Sequence, residues 1–184
     1  MRMLPFRIRF IACVVFFSAA LLHGADGDNP LKSAKKGDWA EYKLVIEEKG
    51  KKISQVVSRI VMQTNKDSLL VEEVATLNKK ELPAQERVLF FDEPFNYLPL
   101  PPDVKTEKLS EGVEKVSLNG KDYACRWIQV KVSGNKSKFD ASGKVWLCAD
   151  VPLSGVVKFE INVTAPLKGS IISELSSSGR GKRD

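Results

Sequence analysis

The sequence predicts a mainly β domain, a curved antiparallel sheet of about 8–10 strands shaped as a half-barrel or barrel, with room for one short helix. A β-sandwich is the alternative. Three observations lead there. Apolar and polar residues alternate with a period of two across most of residues 38–175, as in strands with one face in water. Turn residues recur at strand-length intervals. No stretch keeps a long 3.6-residue periodicity.

The first 25 residues stand apart. Arg2, Arg7 and Arg9 precede a 13-residue apolar run, Phe10 to Leu22, and small residues follow at Gly24 and Ala25. This is the layout of a cleaved signal peptide, and the run is too short to span a bilayer comfortably. Cys13 lies inside the run, whereas a lipidated cysteine should close it. Residues 26–37 are polar and read as a flexible N-terminal segment. Asp26, Asp28 and Asn29 resemble the opening of a calcium loop, but its glycine and distant glutamate are missing.

The strands then follow in order. Ala40, Tyr42, Leu44 and Ile46 alternate with mostly charged neighbours, and Glu48-Lys49-Gly50-Lys51 makes a hairpin turn. Lys52–Gln63 and Ser68–Leu77 are the next two strands, separated by a polar turn, and Asn78-Lys79-Lys80 marks another turn. Arg87–Phe91 is a short fourth strand. From Asp92 to Asp103, Pro94, Pro99, Pro101 and Pro102 interrupt Phe95, Tyr97, Leu98 and Leu100. Proline blocks ladder pairing, so this segment caps one end of the sheet or lines the mouth of a cavity. Thr106–Leu118 reads as one or two short strands or a helical turn. Asn119-Gly120 is a strong hairpin signal. Lys121–Val132, Gly143–Ala149, Val156–Thr164 and Ser170–Leu175 complete the domain, and Ser/Gly/Arg-rich residues 176–184 read as a disordered tail.

Lys144 to Phe159 is the centre of this pattern: a strand, a Pro152/Gly155 turn and a second strand. Pro152 fixes φ and stops the first strand, and Gly155 accommodates an unusual backbone angle. Cys125 and Cys148 are the two cysteines left once Cys13 departs with the leader. In an oxidising compartment they would form one disulfide. If they face each other across antiparallel strands, the same register sets Trp127 opposite Trp146 on the same face. Closing a loop of this size contributes roughly 3 kcal/mol in the chain-entropy model. Ile128 against Val145 makes the opposite face apolar too. A sheet apolar on both faces must be covered on both or enclose a space.

Gly120-x-x-Tyr123-x-Cys125, followed by Val145-Trp146-x-Cys148-x-x-Val151-Pro152-Leu153-x-Gly155-x-Val157-Lys158, resembles a pattern in small exported bacterial proteins of uncharacterised function. The likeness covers about 40 residues and bears on fold rather than activity. The strand layout also resembles the half-barrels of periplasmic lipoprotein carriers, which hold acyl chains against a concave face. That second resemblance implies a topology and carries no residues across.

Charge and composition narrow the function. The full chain carries +6. Removing a leader with three arginines and no acid leaves +3, of which the tail supplies two. A nearly neutral body gives no electrostatic case for nucleic acid. His23 is the only histidine and precedes the expected cut, so the mature chain has no catalytic triad, Cys-His dyad or histidine-based zinc site. Paired acids such as Glu72-Glu73 point to opposite faces of a strand. The expectation is therefore a secreted or periplasmic, non-enzymatic β protein, with no cofactor or metal and no transmembrane segment after cleavage. It would bind a lipid or other apolar ligand, with Trp127, Trp146, Phe95 and Tyr97 as lining candidates. The alternative is a structural or interaction module of the envelope with a protein partner and no cavity.

Overall fold

The computed structural model describes residues 29–92, 104–134, 138–166 and 168–181. Ten strands form one antiparallel sheet. They are β1 (Trp39–Glu48), β2 (Lys51–Thr64), β3 (Ser68–Leu77), β4 (Lys80–Glu81), β5 (Gln85–Phe90), β6 (Val104–Leu118), β7 (Lys121–Gly134), β8 (Asp140–Leu147), β9 (Val156–Ala165) and β10 (Gly169–Gly179). The spatial order is β4-β3-β2-β1-β10-β9-β8-β7-β6, with β5 beside β4 on the same edge of β3. Two meanders, β1–β5 and β6–β10, are thus sewn together by β1 pairing with β10. The sheet has two free ends and is one layer, which selects the half-barrel over the sandwich.

Local chemistry explains the elements. The three two-residue hairpin turns have positive φ at both centres: Lys49-Gly50 (50°, 75°), Asn78-Lys79 (51°, 64°) and Asn119-Gly120 (52°, 76°). That geometry matches the right-handed twist of the flanking strands. Register shifts leave one extra residue on β2 (Met62), β6 (Leu109), β10 (Ser176) and, at two places, β9 (Val157 and Thr164). Each bulge bends its strand and adds twist, so the sheet coils. The curl is tight enough that Asn119, in the β6–β7 turn, donates Nδ2 to the carbonyls of Leu175 (3.1 Å) and Ser176 (3.0 Å) on β10, past β8 and β9.

The inner face holds the core. Tyr42, Leu44 and Ile46 of β1 share it with Ile128, Val130 and Val132 of β7, Val145 of β8, Phe159 and Ile161 of β9, and Ile171 and Leu175 of β10. β8 and β9 are shorter than β7 and β10, and the Cys148–Gly155 loop occupies the space they leave. Val151, Pro152, Leu153, Ser154 and Gly155 are all buried. This connection is therefore part of the core rather than a surface turn. It is closed by Cys148 N–H donating to Gly155 O at 2.7 Å. Gly155 has φ +69°, and a Cβ there would sit 3.3 Å from the Cys148 carbonyl oxygen.

Three boundaries differ from the sequence reading. Residues 30–33 form a 3-10 turn capped by Asn29, whose Oδ1 accepts from Leu31 N–H at 3.0 Å. Leu31 and Ala34 are buried in the core, so this part of the N-terminal segment is docked. β6 is one continuous strand from Val104 to Leu118. β10 continues through Ser176–Gly179, where Ser177, Ser178 and Gly179 pair with Glu41, Ala40 and Trp39. Backbone pairing with β1 orders that serine-rich end, which has no apolar alternation to announce it. The leader, Phe95 and Tyr97 lie outside the described residues. Among the described residues no helix is long and apolar enough to cross a membrane.

Candidate functional site

The Trp127↔Trp146 pair occurs in the expected register. It stands on the outer face, on the opposite parity to Ile128 and Val145, which are buried inward. Lys144 Nζ lies 4.4 Å from each indole centroid, and Lys158 Nζ lies 5.7 Å from that of Trp146. The Trp146 indole N–H donates to Glu114 Oε1, which also meets Lys144 Nζ at 3.1 Å. These contacts hold the Glu114 carboxyl below its ordinary range, with the Trp146 bond the largest cause and Lys144 next. Trp127 also covers Gly112 on the edge strand, where an added Cβ would fall 2.8 Å from the indole ring. The two tryptophans thus join β6, β7, β8 and β9, with Trp146 buried in the hydrophobic core cluster and Trp127 packed partly buried against it.

Cys125 and Cys148 are both buried thiols, and the disulfide expected between them is not formed in this structure. Burial, then the neighbouring Cys148 and Glu114, pushes the Cys125 thiol up to about 11. It stays protonated at neutral pH, so it is a poor nucleophile.

The inner face of the N-terminal meander carries a group that sequence reading passed over. Gln55, Val57, Arg59 and Val61 of β2 alternate inward, opposite Leu77, Ala75, Glu73 and Val71 of β3. Glu73 is 5% exposed. Its Oε2 accepts from Arg59 Nε at 2.7 Å, and its Oε1 lies 4.0 Å from a terminal nitrogen of Arg87 on β5. The Arg59 side chain is 42% exposed. A guanidinium half in water, on a face otherwise sealed by apolar side chains, marks where that face opens to solvent. Four residues away on the same side of β2, Gln55 is buried, and its Nε2 has no hydrogen-bond partner. Tyr42 sits between them, opposite Val57. Its hydroxyl is 3.1 Å from Ser154 Oγ and donates to the Val156 carbonyl at 3.2 Å. Burial pushes the Tyr42 phenol up, opposed in part by the Ser154 bond and by Arg59. The sequence signal for this cluster was parity. A charged or amide residue flanked at i−2 and i+2 by Val, Ala or Ile on a strand's apolar side faces inward. Glu73 itself was read only against Glu72, which points the other way.

No protein-family model matches the chain, and no curated protein does. Solved structures of similar fold include a candidate lipoprotein from Parabacteroides distasonis, with a TM-score of 0.51 at 11% identity, over 84% of this chain and 100% of that one. A candidate exported protein from Bacteroides fragilis, with a YmcC-like fold, gives 0.49 at 11% identity over 80% and 97%. A candidate outer-membrane lipoprotein-sorting domain from Vibrio parahaemolyticus gives 0.30 at 9% identity over 78% and 84%. Of these three, the first supports a shared architecture, and at such identity it says nothing about activity.

Proposed function

We propose that this is an exported, non-enzymatic protein of the cell envelope that binds a lipid or other apolar ligand against the inner face of its half-barrel. The observation that supports this reading is the single layer. The sheet is open, its inner face is largely apolar from β1 to β7, and among the described residues no second sheet and no α-helix packs against it. Apolar surface removed from water contributes about 25 cal/mol per Å². A curled apolar face with no second layer therefore favours an apolar occupant, and the solvent-reaching Arg59 gives that occupant a way in.

Native mass spectrometry of the exported protein tests this. The expected spectrum shows the mature chain with an adduct of lipid mass that organic extraction removes. A chain that carries no adduct, and takes none up from added lipid, overturns the reading.

A second reading has its own observation. Both edge strands expose apolar side chains, Val88 (51%) and Phe90 (45%) on β5, Leu109 (52%) and Val113 (84%) on β6. Exposed edges with apolar side chains are pairing sites for another chain, which supports an envelope protein partner.

A further inference from the structure

Resting on the edge-strand reading, we infer that β6 pairs with β6 of a second copy of this chain, antiparallel about a two-fold axis through Val113. Among the described residues β6 ends the sheet, with a strand, β7, on one side only. Open edges are commonly blunted by a bulge or by charge. The β6 bulge lies at Leu109, so Ser110 to Val116 stays regular over about 20 Å. Within that stretch Glu111, Val113 and Lys115 oppose Ile128, Arg126 and Ala124 of β7, and so share the inner-face side. Val113 is 84% exposed, more than any other large apolar side chain among the described residues. It has the parity of the core without a neighbour strand to cover it.

Charge selects the occupant. In an antiparallel pair, opposed residues have numbers with a constant sum. A two-fold axis makes that sum even, so one residue meets its own copy on the axis. Centring on Glu111, Glu114 or Lys115 sets like charges face to face, which is unfavourable. Centring on Gly112 puts Val113 against Glu111. Centring on Val113 joins the two exposed valines and sets Glu111 of each copy against Lys115 of the other. On the reverse face Gly112 then meets Glu114, and the glycine leaves that carboxylate room for its contacts with Trp146 and Lys144. Glu111 already meets Lys108 and Arg126, and Lys115 meets Asp122. These groups stand at the surface, where sharing or exchanging an ion pair costs little. An axis normal to the sheet keeps each face on its own side, so the inner faces of the two half-barrels run on into each other.

Sedimentation equilibrium of the full exported protein tests this, over about 1 μM to 1 mM because one strand edge is a small interface. A dimer is expected. Glu111→Lys and Lys115→Glu, each checked for folding by circular dichroism, should each weaken it about tenfold or more, because both charge pairs across the axis become like-charged. Mixing the two variants should restore association, since each reversed side chain then meets its opposite. Native mass spectrometry with one variant isotope-labelled reads that heterodimer. Val113→Asp should leave a monomer. A dimer indifferent to all three changes uses another surface and overturns the inference. Two monomeric charge variants that stay apart when mixed overturn the register. A monomeric wild type overturns the self-pairing, and a photo-reactive residue placed at Val113 in the exporting cell then tests the broader reading. A cross-link to a different envelope protein leaves the edge-strand reading standing, and no cross-link ends that reading too.

Discussion

The two meanders share one sheet, yet they differ in how deeply they bury the charged groups of the inner face. In β6–β10 the inner face is aliphatic and aromatic through Ile128, Val130, Val132, Val145, Phe159 and Ile161, with Ser173 buried among them, and the charges that share its parity, Lys108, Glu111 and Arg126, reach solvent at the β6–β7 edge. In β1–β5 the inner face itself carries Gln55, Arg59, Glu73 and Arg87. The first of these halves keeps its inward-parity charges in water. The second accepts the desolvation of a carboxylate and an amide, which folding alone does not require. Among the described residues buried charge is confined to the N-terminal half, through Asp38 and Glu73, which gives the interior a direction.

That contrast can be broken at several points. The largest effect belongs to the C-terminal half: Phe159→Ala should cost about 3–5 kcal/mol, as for buried aromatic truncations, read as a lower urea midpoint with an unchanged slope. Next comes a pH effect at the junction of hairpin and loop. The folded Cys125 pKa is raised from 9.0 to about 11. Between those values the folded state holds a proton that the unfolded chain has released, so stability is full below pH 9 and falls as pH rises towards 11. The loss is on the order of 2 kcal/mol, and Cys125→Ala should flatten it. Oxidation to the disulfide that the sequence suggests should flatten it as well, so the slope also reports the redox state.

Gln55→Leu should act in the opposite sense to Phe159→Ala. Removing an amide that lacks a partner should stabilise the ligand-free protein by about 1–2 kcal/mol. A loss of that size instead would show that the N-terminal half is an ordinary filled core. The smallest effect is expected outside. Lys144→Ala removes a cation shared by two indoles and should cost about 0.5–1 kcal/mol, visible as a small fall in melting temperature and a change in tryptophan emission.

Legibility followed burial. β3 was readable to its end residues, Ser68 and Leu77, because its alternation is apolar and bounded by turns. The Asn119-Gly120 turn and the Trp127↔Trp146 register were readable for similarly local reasons. β6 was not, because an edge strand with Lys108, Glu111, Val113 and Lys115 mostly in solvent shows no apolar side. The Pro152–Gly155 turn was seen, but its burial was not: that depends on β8 and β9 being shorter than their neighbours, a tertiary fact. The Arg59–Glu73–Arg87 cluster demanded a parity argument carried across three strands at once, whereas motif reading looks along one.

The pairing of β1 with β10 has a consequence in time. Each meander consists of contacts between sequence neighbours and can form from its own stretch of chain. The seam that joins them sets Trp39 opposite Gly179 and Ala40 opposite Ser178, the strand partners most distant in sequence among the described residues. Such contacts form slowly because a long loop must close first. A chain emerging N-terminus first, from a ribosome or through a membrane pore, lacks β10 until all nine preceding strands are through. Until then β1 has one neighbour instead of two, the interior has no second wall, and the chain stays pliable enough to be threaded. The fold is timed by its final strand.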